Sequence, residues 1–393
     1  MDLPATATSE SLGKIDFDIH GMVRIRLIDP SPSDLSAAHK LLGCPSRLPV
    51  TNPEITVRFV EDLSASGIRF LGDDRGFTDD GFFLLQEGTR RVKARIPFDR
   101  IGDSCEIVCR SQIESVPLLM PIVGLTALKK GYIPLHAAAV VYDSVGLLMA
   151  GWAHCGKTTA LLGFASEGAE YVGEEWVLFC SNDQRMYGLV RPLELAPWHL
   201  ASLSQVRGAV SLMNRCAFRG IDVLHGLQKM IRGERIRSSF AFRSLQRASM
   251  ALGDRLRQVI PLSAIFRDKV CCTGAPADKI FLFLNQEDQR IDVERITPFE
   301  MAARLTFLVQ HELSALQRHY AAYRFAFPSR RNEFIESSVE YSLAILARGL
   351  HGRETYIVRL PYPHVFPELF NAIQLYCNPT TAATAAESIH ALV

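Results

Sequence analysis

What this sequence has little of narrows its reading before any motif does. Its 393 residues carry 43 Lys and Arg against 42 Asp and Glu, a formal net charge of +1. No global field draws such a chain to nucleic acid or to a membrane, so an electrostatic partner must be met locally. Long apolar runs are also missing. The longest, "VPLLMPIVGLTALKKG", is broken by Pro121 and Gly124 and falls short of the roughly 18 residues that a spanning helix needs. The polar opening "MDLPATATSESLGK" has no basic stretch followed by an apolar one, so no signal peptide is expected and a cytoplasmic protein is. The nine cysteines form no CxxC pair and no Cys/His cluster at zinc spacing, which points to reduced, mostly buried thiols. No internal repeat and no low-complexity tract occurs.

Hydrophobic residues make up 48% of the chain and charged residues 22%, an ordinary balance, and the length allows two domains with a substantial core. From Ile15 to about Cys109 the runs "FDIHGMVRIRLID", "EITVRFV", "GFFLLQEGTRRVKARIPF" and "CEIVCR" read as strands separated by turn-rich pieces. A mainly β N-terminal domain over 1–112, with one helix at Ser33 to Leu42, is expected. An apolar helix ending at Lys129, Lys130 and Gly131 follows, with a cationic end and a glycine stop. The remainder, 113–393, alternates strands and helices as α/β domains do. It opens with a hairpin, "PLHAAAVVYDSVGLLMAG", then a helix "TTALLGFASEG" and a strand "AEYVGEEWVLF". Farther on come the buried-strand run "ADKIFLFLN", a long helix "PFEMAARLTFLVQHELSALQRHY", a helix "FIESSVEYSLAILARG", a strand "TYIVRL" and a helix "PELFNAIQLY". Thr297, Pro298 and Glu300 read as N-cap, first helical position and capping-box acid of the long helix. The closing "NPTTAATAAESIHALV" reads as a weakly held tail.

One stretch carries chemistry. Gly151-Trp152-Ala153-His154-Cys155-Gly156-Lys157-Thr158 satisfies the P-loop pattern G-x-x-x-x-G-K-[ST], and it lies between a strand and a helix, as that motif requires. Backbone N–H groups from Gly151 through Thr159 would curl round phosphates at the helix N-terminus, with Lys157 reaching the β- and γ-phosphates. Thr158 would offer its hydroxyl to Mg²⁺. Glu174 and Glu175 follow about 17 residues after the lysine, where carboxylates can meet both the metal and an incoming nucleophile; the plainer reading is an acidic pair at a solvated strand end. Standing by itself, His136 would be a structural histidine beside apolar neighbours.

Together these pieces resemble the HPr kinase/phosphorylase fold family and its relatives in biosynthetic clusters, including kinases that phosphorylate ribosomal peptides. The resemblance rests on Leu135-His136-Ala137, on Gly151 through Thr159 and on Glu174-Glu175, and more loosely on "YGLVRPLEL". It covers roughly Gly131 to Phe179 and implies an α/β fold, a P-loop kinase domain of the HPr kinase C-terminal or PEP carboxykinase type. His136 and one acid would then assist deprotonation of an acceptor hydroxyl, while Lys157, Thr158 and the other acid hold MgATP. The expected metal ligands are Thr158 and Glu175, although the residues alone leave open which acid is ligand and which is base. The family's pair is usually Asp-Asp, and here Trp152, His154 and Cys155 replace small loop residues. The long glycine-rich signature of true HPr kinases is absent, which argues against HPr as the substrate.

The expected function is therefore an ATP- and Mg²⁺-dependent kinase acting on a hydroxyl of a small metabolite or a short peptide. The alternative is a nucleotide-binding regulatory or assembly module without transfer. Nucleotide-driven hydrolysis in a motor or transporter is disfavoured, because no ABC-type signature accompanies the loop. Between Arg207 and Arg257 eleven cations face only Asp222, Glu234 and Asp254. They read as the wet side of amphipathic helices or as a lid that attracts an acidic acceptor. No nucleic-acid module accompanies them. Arg191 is a separate candidate for clamping phosphate, and the resemblance leaves room for a homo-oligomer, since relatives often assemble.

Overall fold

The computed structural model describes residues 12–196, 199–200, 257–288, 290–361 and 366–377. The Arg-rich insert expected at about 207–258, apart from Arg257 and Gln258, and the tail from Asn378 lie outside the described residues.

The first part is one mixed sheet. Strands β1 (Lys14–Ile19), β2 (Val23–Ile28), β3 (Ile55–Val60), β4 (Arg69–Phe70), β5 (Arg75–Phe77), β6 (Phe82–Leu85), β7 (Val92–Arg95) and β8 (Cys105–Arg110) lie in the order β1-β2-β3-β8-β7-β6-β5-β4. In β2 the alternation of Val23, Ile25 and Leu27 with Arg24 and Arg26 buries one face, as a half-buried strand requires. Its outward Arg26 meets Asp16 directly across β1. Helix α1 (Pro32–Leu42) starts on the reciprocal Ser31–Asp34 capping box and carries the chain from β2 to its parallel neighbour β3. That parallel centre was not legible in the hydrophobic runs, which suggested only successive strands.

The second part contains α2 (Leu119–Lys129), β9 (Tyr132–Tyr142), β10 (Val145–Gly151), α3 (Lys157–Ser166), β11 (Glu170–Gly173), β12 (Trp176–Cys180), β13 (Arg185–Gly188), β14 (Leu193–Leu195) and β15 (Gln258–Ile260). These are followed by α4 (Ser263–Phe266), β16 (Ala275–Pro276), β17 (Lys279–Gln286), β18 (Asp292–Ile296), α5 (Pro298–Ala326), α6 (Glu333–Glu336), α7 (Ser338–Gly349), β19 (Glu354–Pro361) and α8 (Phe366–Gln374). The nine-stranded sheet runs β16-β13-β12-β9-β10-β17-β19-β18, with β11 also paired to β9. Strands β10, β17 and β19 are parallel and covered on both faces, which is why they read as unbroken apolar runs. Leu147 and Met149 of β10 pack with Leu161 and Phe164 of α3 and Phe370 of α8. The alternate residues Leu148 and Ala150 join α2 and α5 in a larger cluster. That cluster also contains Phe17, Ile25 and Phe98, so the two sheets share one core. The whole is a mixed α/β fold.

Two expected elements are each split in two. "AEYVGEEWVLF" is β11 and β12 with a break at the acids, and "FIESSVEYSLAILARG" is α6 and α7. The single turn α6 starts on Asn332, whose amide donates to the carbonyls of Phe98 and Ile101 between β7 and β8, and it ends at Ser337, after which α7 packs on α5. At the start of α5, Thr297 accepts from the Glu300 N–H as expected, but the Glu300 carboxylate turns to Arg304. Among the described residues no helix is long and apolar enough to cross a membrane, and no described cysteine is in a disulfide.

Candidate functional site

Strand β10 delivers the chain to Gly151 at the carboxyl end of the parallel strands, the usual position of ligand crevices in such sheets. A side chain cannot be placed there, because a Cβ on Gly151 would lie 2.5 Å from Cys155 Sγ and 2.9 Å from the Phe283 carbonyl oxygen. Gly156, at φ +98°, turns the loop into α3, whose first N–H groups have no side-chain cap. Those orphan donors and the helix dipole favour an anion. Lys157 is buried, and its Nζ donates to the carbonyls of Gly151 (2.9 Å) and Trp152 (2.7 Å). Burial lowers its pKa from the ordinary lysine value, against the opposing pull of Cys155, Glu174 and Glu312.

Register explains why the acids arrive beside His136. Strands β11 and β12 both pair with β9, the first ending at Gly173 opposite Ala139 and the second starting at Trp176 opposite His136. Glu174 and Glu175 fill the gap, with the Glu175 carbonyl accepting from the Ala137 N–H at 3.2 Å. Glu175 takes a left-handed φ of +63°, a conformation that costs an ordinary side chain energy and persists only where surroundings hold it. What holds it is Arg191, which ion-pairs with the Glu175 carboxylate and lies 3.9 Å from that of Glu174.

The two acids are not equivalent. The Thr158 hydroxyl donates to Glu174 at 2.8 Å. Burial, reinforced by the negative charge of Glu175, pushes the Glu174 carboxyl up to about 7. Burial acts in the same sense on Glu175 but is outweighed by Arg191, so that its carboxyl sits below the ordinary range. His136 also has a partner: its Nδ1 lies 2.8 Å from Glu312 Oε1 on α5. The neighbouring His311 packs its ring against Trp152, with centroids 4.2 Å apart.

No protein-family model matches the chain, and no curated protein is significantly similar to it.

The expected residues largely converge. His136, Lys157, Thr158, Thr159, Glu174 and Glu175 line one cleft with the loop residues Ala153 through Gly156. Gly151 and Trp152 lie outside that lining. They contribute carbonyls to Lys157, and Trp152, 46% exposed, turns to His311. Two expectations are revised. Thr158 and Glu175, the expected metal pair, line the same cleft, but the hydroxyl of Thr158 is hydrogen-bonded to Glu174 and not to Glu175. Arg191 clamps the acid pair and is 8% exposed, so it is not held open for a phosphate. Glu312 and His199 were missed, and Arg257 was marked only as one of the cations of the Arg-rich segment. His199 and Arg257 line the cleft, and their only sequence signal was charge in a segment without a motif. Glu312 lay hidden in a helix whose pattern reported only its apolar face.

Among the described residues no group of three or more His, Cys, Asp or Glu side chains gathers as a metal cluster. The Thr158 hydroxyl and the Glu174 carboxylate nonetheless suit Mg²⁺, a hard cation that takes one or two protein oxygens and completes its shell with water and phosphate. The buried state of Glu174 predicts its own stability signature. Because its folded pKa is raised, the native state holds a proton that the unfolded state loses between the ordinary carboxylate range and pH of about 7, and stability falls as pH rises through that window. Glu174→Gln removes the cost. Thermal unfolding should find it more stable than wild type at pH 8, by on the order of 3 kcal/mol, with the gap closing by pH 4.5; a gap independent of pH would refute the buried, protonatable carboxyl.

Proposed function

We propose that this protein is an ATP- and Mg²⁺-dependent kinase that transfers the γ-phosphoryl group to a hydroxyl of a small metabolite or short peptide. On this reading residues 113–393 form an HPr-kinase-like P-loop domain. The observation that carries it is the convergence of His136, Lys157, Thr158, Glu174 and Glu175 on one cleft at the start of α3. Phosphoryl transfer asks a protein chiefly to position the phosphates, neutralise their charge and align an oxygen nucleophile. Lys157 would exchange its two carbonyl partners for phosphate oxygens, and the uncapped N–H groups of α3 would bind the same anion. Thr158 and Glu174 would hold Mg²⁺, which when bound neutralises charge on the β- and γ-phosphates. Glu175 and His136, on the acceptor side of the acid pair, would orient the incoming hydroxyl.

One observation favours the second reading, a nucleotide-binding module without transfer: Glu175 is already engaged by Arg191. The decisive experiment incubates the full chain with γ-labelled ATP and Mg²⁺ in an extract of small molecules and peptides, alongside Glu174→Gln and Glu175→Gln. A kinase labels an acceptor, and both variants lose labelling while keeping nucleotide affinity. Tight ATP binding with no labelled product from the wild type would select the module.

A further inference from the structure

Five groups lining the cleft could accept a proton from the substrate hydroxyl. His154 belongs to the glycine loop that would face the phosphates, and His199 turns its Nε2 to the Thr159 hydroxyl at 3.4 Å; the partners of the other three separate them. Glu174 receives the Thr158 hydroxyl at 2.8 Å and is buried at 8% exposure, committing it to the cation side. Glu175 is ion-paired with Arg191, and a carboxylate stabilised in its charged form is a poor base near neutrality. His136 stands apart from both. Its backbone is fixed by the register of β9 with β12, and its Nδ1 lies 2.8 Å from the Glu312 carboxylate, with the two side chains 22% and 25% exposed. A histidine whose Nδ1–H is donated to a carboxylate presents Nε2 as a lone pair. This is the arrangement of base and orienting third group that activates hydroxyl nucleophiles generally.

Resting on the kinase reading, we propose that the base is Nε2 of His136 and that Glu312 is the residue that positions it. The acceptor O–H gives its proton to Nε2 as its oxygen bonds to the γ-phosphorus. The bond from that phosphorus to the β,γ-bridging oxygen breaks and ADP leaves. The imidazolium, next to the Glu312 carboxylate, then returns its proton to water. Glu312 is supplied by α5, far along the chain from the loop and the acids, so the site is complete only when α5 is docked.

The test compares full-length wild type, Glu312→Ala, Glu312→Gln and His136→Ala in γ-label transfer, and reads the His136 ring by nitrogen-resolved NMR. Glu312→Ala should lower the maximal labelling rate about 100-fold with KM for ATP changed less than about twofold. Its His136 ring should shift from the Nδ1–H to the Nε2–H tautomer. Glu312→Gln, which keeps an acceptor oxygen, should retain the tautomer and recover part of the rate, and free imidazole should partly restore His136→Ala. Wild-type labelling with Glu312→Ala equally fast, or with its tautomer unchanged, overturns this inference and leaves the kinase intact. A wild type that binds ATP but labels nothing removes the kinase reading and the base role with it.

Discussion

If the protein is the proposed kinase, Lys157→Met should lower γ-phosphoryl transfer by roughly 10²–10³-fold, the usual loss on removing one preorganised electrostatic donor, while leaving the ligand-free protein folded. The lysine is buried with two backbone carbonyls as its main partners, and burial depresses its pKa, so its charge is held at a cost that methionine does not bear. With a depressed folded pKa, the unfolded chain binds more protons just below the ordinary lysine value of 10.5, and the lysine's contribution to stability rises with pH there. Thermal scans from pH 7 to 10 should show that rise in the wild type and not in Lys157→Met. The thermal shift given by saturating MgATP, about 2.7 kcal/mol at a hundredfold excess over Kd, should vanish in the variant. Wild-type transfer by Lys157→Met would mean that the loop does not cradle phosphate.

Arg191→Met should be the most destabilising single change at the site, by about 1–3 kcal/mol at pH 8. It leaves the buried Glu174 and the half-buried Glu175, whose side chain is 38% exposed and so partly screened by water, without their shared cation. Glu174 and Glu175 would face each other with their shared guanidinium gone, and Arg191 also donates to the Lys40 carbonyl at 3.2 Å. The depressed pKa of Glu175 fixes the direction with pH. Its stabilisation is fully present above the ordinary carboxylate pKa and is lost as pH falls through the folded value, so the penalty in Arg191→Met should shrink on acidification. Adding Glu175→Gln to Arg191→Met should recover most of the loss at pH 8. Urea unfolding of the single and double variants measures both, and a loss at pH 8 that Glu175→Gln fails to recover would show that Arg191 acts through packing and not charge.

How much of this was legible beforehand follows from range. The hairpin of β9 and β10, the glycine loop and α3 are set by local pattern, and each lies where the sequence puts it. So does α1, expected at Ser33 to Leu42 and found at Pro32–Leu42, although its capping box of Ser31 and Asp34 went unread. The break between β11 and β12 was not legible, because it depends on how two short strands share β9 as a neighbour. The short strands β4, β5, β13, β14, β15 and β16 hold two to four residues each, too few for alternation to register. At the site the string identified the loop, and the doublet identified the acids. Their partners Arg191 and Glu312 could not be assigned from sequence, since a single charge in a strand-rich or helical segment carries no mark of what it will meet in three dimensions.

The 29 residues of α5 make a rod roughly 44 Å long. At one level it presents His311 to Trp152 and Glu312 to His136. About two to three turns farther on, Tyr320 and Tyr323 pack against Phe82 of β6 and Phe98 of the turn between β7 and β8, and Arg75 reaches the Arg318 carbonyl. The small sheet thus grips the same lever that aims the histidine. Cutting the chain at the boundary suggested near residue 112 would strip that aromatic grip, wet the tyrosines and leave the rod free to roll. The front part of this chain thus shares its core with the helix that carries Glu312 into the cleft.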